Sequence, residues 1–181
     1  MIVVGVGLSE SRNWRYTVSS PDDQNRIKVI QDYFKLSDQG RQGILELFHE
    51  DAEIYFPKFG VGLGRQSLIE MWKGFEGSLE FILHDYDTMT FIPSGDYVVV
   101  EGTSHGKMSG KFWTGGATPG GRFCNVFRFR DDRISSLHIY LDPDYTGEDA
   151  ARLDGIRIED GEIATIRKWT AAPLVPTVQA L

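Results

Sequence analysis

Up to Gly77 the hydrophobic positions recur at helical spacing, and after it they alternate. Pro21-Asp22-Asp23 is a helix start, with acidic residues placed to cap free amides and meet the positive end of the dipole. Ile27, Ile30 and Phe34, with Val29, Tyr33 and Leu36 on the adjoining stripe, predict a first helix that ends at Gly40. Ile44, Leu47 and Phe48 predict a shorter second helix, and Leu68, Ile69, Trp72 and Phe75 a third. Between them, Ala52 to Phe56 reads as a strand stopped by Pro57, and Gly60 to Gly64 as a loop.

Alternation then predicts strands over Leu79 to Ile92, Tyr97 to Met108, Phe123 to Arg130 and Ile134 to Asp142. Pro93-Ser94-Gly95-Asp96 and Asp131-Asp132 supply turns, and Gly110 to Gly121 a longer hairpin connection. Three helices with one strand among them, then four strands, predict an α+β fold with helices on one face of an antiparallel sheet. The organisation expected is an arm over residues 1–20, a domain over 21–145 and an extension over 146–181. Gly155 to Trp169 in that extension suits a hairpin around Glu159-Asp160-Gly161-Glu162.

The polar chemistry is set into these strands. In Phe123-Cys124-Asn125-Val126-Phe127-Arg128-Phe129, period two puts Asn125 on the face of three phenylalanines. A buried amide there must find partners or cost roughly 1–3 kcal/mol. Polar groups isolated in an apolar concavity are how small-molecule pockets are built. His105 shares a strand face with Tyr97, Glu101 and Thr103, and an imidazole can move protons near neutrality; the plainer role is a solvated strand histidine. His84 shares its face with Ile82 and Tyr86; pointing inward, the two histidines could flank a substrate hydroxyl. Asp142 is either a base or orienter for His105, or a turn residue ahead of Pro143. On the last strand His138, Tyr140 and Asp142 fall on one face and Leu137, Ile139 and Leu141 on the other, and either set could face inward. Tyr33 and Tyr55 could donate to a ligand oxygen, while Phe56, Trp72, Phe75 and Trp113 suit the walls of a pocket for a flat hydrophobic compound. His49 and His138 read as structural.

Charge and composition narrow the classes. The chain has 181 residues, is 41% hydrophobic and carries a net charge of −7 with scattered basic residues, which argues against a nucleic-acid surface. Cys124 is the single cysteine, so no internal disulfide forms. Met1 to Leu8 lacks a basic leader pattern and is too short to span a bilayer, so a cytoplasmic protein with no membrane partner is expected. Gly60 to Gly64 lacks the ending of a phosphate loop, and the histidines show no metal-ligand spacing. No metal or cofactor is expected.

Three landmarks carry a resemblance. Tyr33 is followed by Ile44-Leu45-Glu46-Leu47-Phe48-His49-Glu50-Asp51-Ala52; Gly64-Arg65-Gln66-Ser67-Leu68-Ile69 opens the third helix; Val126 to Ile134 and Tyr140-Leu141-Asp142 form a closing hairpin. In these the stretch from Arg26 to Asp142 resembles the nuclear transport factor 2-like superfamily, in particular its SnoaL-like branch. The resemblance implies a curved sheet wrapped as a cone around three helices, a pocket in the cone mouth and homodimers through the outer sheet face. Compared with ketosteroid isomerase, Tyr33 matches the oxyanion-hole tyrosine, but Phe56 replaces the basic aspartate and Asn125 the protonated one. Asp142 matches a catalytic aspartate of limonene epoxide hydrolase, whose arginine–aspartate pair is absent around Thr103 to His105. In SnoaL-type cyclases His105 falls near a pocket histidine. Scytalone dehydratase is matched best, by His84, His105, Asn125 and Tyr33 or Tyr55, with Leu36 and Ser37 where its helix-one tyrosine and aspartate belong. Such a fold hosts many chemistries and some binders.

The expected function is cofactor-free acid–base chemistry (dehydration, isomerisation or cyclisation) on a hydrophobic oxygenated ring compound such as a polyketide or steroid-like substrate. In it His105 and His84 move protons, Asn125 and Tyr33 hold the oxygen and Asp142 orients. The alternatives are a non-catalytic small-molecule binder and a protein-interaction domain.

Overall fold

The computed structural model describes residues 20–115 and 120–145. The expected N-terminal arm, apart from Ser20, and the whole C-terminal extension lie outside the described residues. Helix α1 spans Pro21–Asp38. Ser20 caps it reciprocally: the Asp23 amide donates to Ser20 Oγ (3.2 Å) and the Ser20 amide to Asp23 Oδ2 (3.1 Å). Its inner stripe, Ile27, Ile30, Tyr33, Phe34 and Ser37, is buried. Beyond Asp38 the chain turns sharply, with Gly40 and Arg41 in the left-handed region (φ 102° and 72°) and the Arg41 amide bonded to the Leu36 carbonyl at 2.7 Å.

The second expected helix is a single 3-10 turn, Ile44–Leu47. Gly43 is also left-handed (φ 80°), and Phe48 is already extended and paired with Ile134, so only four residues remain. Two α-helices are therefore present among the described residues, the other being α2 (Ser67–Lys73). Strand β1 spans Phe48–Phe56, and β2 (Gly60–Leu63) is a short strand paired antiparallel to it where a loop was expected. The long strand expected after Gly77 is interrupted. Strand β3 (Leu79–His84) and β4 (Thr90–Ser94) lie in sequence along one edge of β5 (Tyr97–Met108), separated by a 3-10 turn at Tyr86–Thr88. From His84 to Thr90 the chain advances six residues while β5 advances three, from Ser104 to Glu101, so the surplus loops out. Strands β6 (Lys111–Thr114), β7 (Arg122–Arg130) and β8 (Arg133–Leu141) complete the sheet.

The strand order is β2-β1-β8-β7-β5-β3, with β4 and β6 also on β5. The sheet is mixed, not purely antiparallel: β1 and β8 run parallel, a pairing permitted by the long chain between them. Its inner face carries Phe48, Ala52, Ile54 and Phe56 of β1, Phe123, Phe127 and Phe129 of β7, and Leu137 and Ile139 of β8, all in one core with α1. Tyr33 meets Phe34, Phe48 and Phe127 edge-on at 5.2–6.0 Å. No helix among the described residues is long and apolar enough to cross a membrane.

Gly106 on β5 is a packing requirement. A Cβ there would lie under 3.0 Å from the Trp113 ring and from the Phe81 carbonyl, and the carbonyl cannot swing away. Gly106→Ala is expected to lower stability by about 1–3 kcal/mol in urea unfolding.

Candidate active site

The C-terminal end of α1, helix α2 and the inner faces of β1, β3, β5, β7 and β8 enclose a cavity of about 40 Å³. Phe56, Met71, Trp72, Phe75, Ile139 and Leu141 form its apolar walls; Tyr33, Ser37, His84, Ser104, Asn125 and Tyr145 are its polar positions. That volume holds a few water molecules. A ring compound enters only if walls such as the flexible Met71 move.

Asp38 closes α1 and organises the cavity's edge. His84 Nδ1 donates to Asp38 Oδ1 (2.6 Å), while the His84 amide (3.1 Å) and the Tyr86 hydroxyl (2.7 Å) donate to Oδ2. The two side chains are 10% and 5% exposed. Burial pushes the Asp38 carboxyl upward, but the hydrogen bonds and charge of His84, with the bond from Tyr86, outweigh it and hold Asp38 below the usual carboxylate range. An ionised carboxylate on Nδ1 fixes the ring's tautomer and leaves Nε2 to exchange protons. No described residue bonds Nε2. The ring is wedged between Phe34 (centroids 4.8 Å) and Phe123 (5.4 Å), so its direction is set.

Other polar atoms in the wall lack partners among the described residues. Asn125 is 4% exposed with Oδ1 unbonded, and Ser37 Oγ and Trp72 Nε1 are equally unpaired among the described residues. Burial, then the negative charge of Asp38, pushes the Tyr33 phenol well above its ordinary value, which keeps it a neutral donor. An Asp-oriented imidazole beside unpaired polar atoms in an apolar enclosure is equipped for proton transfer to and from a bound oxygenated molecule.

The SnoaL-like domain pattern matches residues 30–137. The chain belongs to the SnoaL-like family. Solved structures share its fold. An NTF2-like protein from Anabaena variabilis is 25% identical with a TM-score of 0.58, over 72% of this chain and 98% of that one. A candidate polyketide cyclase from Xanthomonas campestris pv. campestris is 16% identical with a TM-score of 0.57, over 67% and 93%. TerC, co-crystallized with polyporic acid, is 24% identical with a TM-score of 0.55, over 65% and 92%. No curated protein matches.

Within this SnoaL-like domain the predicted site residues divide. Tyr33, Phe56, Trp72, Phe75, His84 and Asn125 line the cavity. His105 does not. In the β3–β5 register His84 faces Ser104 and Leu83 faces His105, so the two histidines leave the sheet on opposite sides. His105 is 42% exposed and bonds Asp85 (2.7 Å), which also accepts from Thr103 (2.7 Å). Asp142 is exposed and accepts the Asp144 amide (2.9 Å), which is the turn role. Tyr55 stands on the far face against His138 and Tyr140, so Leu137, Ile139 and Leu141 are the inward set of β8. Trp113 is buried behind the wall, stacked on Tyr145 (4.6 Å) and donating to Ser104 Oγ (3.4 Å). His49 bonds the Arg130 carbonyl and His138 bonds Glu53.

Sequence reasoning missed Asp38, Ser37, Ser104 and Tyr145. Asp38 had a readable signal: a negative charge at a helix C-terminus opposes the dipole, so something nearby had to compensate it.

Because Asp38 is held below its unfolded value, its contribution to stability is complete above about pH 4 and is lost as pH falls through the lower folded value. Urea unfolding of the wild type and Asp38→Asn across pH 2–7 (roughly, bracketing the carboxylate range) is expected to show a wild-type advantage near neutrality that shrinks toward the acid end.

Proposed function

We propose that this chain is a cofactor-free acid–base catalyst, of the lyase or isomerase kind, that acts on a small oxygenated compound. Supporting it most is the Asp38–His84 pair at a cavity whose buried Asn125 Oδ1 has no partner among the described residues. In a dehydration, His84 Nε2 takes a proton from the carbon beside a carbonyl, and the ionised Asp38 stabilises the imidazolium formed. Tyr33 donates to the carbonyl oxygen as it gains charge. Asn125 Oδ1 accepts from the substrate hydroxyl. The imidazolium then returns its proton to that hydroxyl, which leaves as water. Isomerisation or cyclisation uses the same first step and returns the proton to carbon or oxygen elsewhere.

Asp38 takes the orienting role expected of Asp142, and one histidine replaces two. The small cavity favours a second reading, a pocket that binds without turnover. Deuterium uptake separates them, because removal of a proton from carbon is the step all three reactions share. Cyclic β-hydroxyketones and their enones, incubated in heavy water, are expected to exchange the proton beside the carbonyl. His84→Asn should slow exchange by about 10²–10⁴, and Asp38→Asn should slow it too, with the double variant no slower than His84→Asn alone. Exchange at the uncatalysed rate across the panel, or undiminished in His84→Asn, sinks the catalytic reading.

A further inference from the structure

Four buried side-chain atoms among the described residues have no hydrogen-bond partner, and they are not scattered. Ser37, Trp72 and Asn125 line the cavity, and the fourth, Arg41 Nε, belongs to a guanidinium stacked 4.0 Å over the Trp72 ring. Two of the four, Arg41 Nε and Trp72 Nε1, can only donate. A buried donor left without an acceptor is costly. Arg26, Arg65 and Arg130 each reach a carboxylate, of Asp96, Glu50 and Asp51, whereas no described carboxylate pairs with Arg41. Its place is nonetheless fixed, by the left-handed turn that ends α1 and by the stack on Trp72.

Charge is unevenly met at this end of the cavity: Asp38 is satisfied by His84 and Tyr86, whereas Arg41, which stacks on the Trp72 wall without itself lining the cavity, has no carboxylate partner among the described residues. We propose that the substrate carries a carboxylate, seated against the Arg41 guanidinium and the Trp72 indole N–H, with its reactive end at His84. This rests on the catalytic reading for what happens at His84, but the anion seat stands on its own donors. A planar guanidinium fork matches a carboxylate's two oxygens, and such a charge-assisted contact selects against neutral analogues. The class of compound is a small oxygenated carboxylic acid, with the hydroxyl or ketone on the side away from the acid.

Benzoate and its neutral counterpart benzamide are the probes, titrated into the full-length chain by calorimetry and by following the Trp indole N–H signals in NMR. The wild type should bind benzoate about 10–100-fold more tightly than benzamide and shift one indole signal, which is absent in Trp72→Phe. Arg41→Gln should erase the preference by weakening benzoate alone; Arg41→Lys should keep part of it. Should Arg41→Gln fail to fold, Trp72→Phe and Arg41→Lys carry the test, each lowering benzoate affinity with benzamide unchanged. Equal affinity for the two probes, no benzoate binding at millimolar concentration, or a preference that survives Arg41→Gln overturns the proposal. His84→Asn should retain the benzoate preference, so loss of deuterium exchange with the preference intact removes the catalytic reading and spares the anion seat.

Discussion

A negative charge sits at the end of α1 where the helix dipole disfavours it, and its side chain is almost wholly out of water. Either circumstance alone makes Asp38 costly; together they are tolerable only because three donors converge on it, two from His84 and one from Tyr86. Those donors come from β3 and the turn after it. The interaction thus joins the helix layer to the sheet at the point where the cavity begins. It fixes the length of α1 relative to β3, the tautomer of His84 and the direction of its free nitrogen.

A second Asp–His pair lies one residue away in sequence and on the other side of the sheet. His84 turns inward to Asp38; its neighbour Asp85 pairs with His105. The two pairs look alike as contacts but differ in surroundings. The His84 ring is wedged between Phe34 and Phe123 and Asp38 is buried beside it, whereas His105 is partly solvated and its aspartate is shared with Thr103. Only the first borders the cavity.

Much of this was readable from the residues. Helix α1 announced itself through its capping residues, and β7 through phenylalanines spaced two apart, which placed Asn125 inward. The second helix failed because left-handed Gly43 and the core demand on Phe48 leave one turn between them. Strand β2 is glycine-rich and its Val61 and Leu63 are exposed, so no buried face marks it and backbone bonds to β1 make the strand. The site was half legible. Facing within a strand follows from period two, and His105 travels with Glu101 and Thr103 on the face away from Ser104. Pairing between distant segments does not follow from period, so the partners of Asp38 and the stack of Arg41 on Trp72 became visible only when α1, β3 and α2 were brought together.

The parallel seam between β1 and β8 joins the earliest strand among the described residues to the latest. During synthesis β1 emerges with α1 and β2 at hand and α2 soon after, but its other edge stays without a partner until the ribosome has released β8. Closing so long a loop is slow, since the entropy is lost before the contact forms. A nascent chain of this protein therefore carries β1 with one unpaired edge while residues 57–132 are made, an interval in which an open strand edge invites wrong pairing.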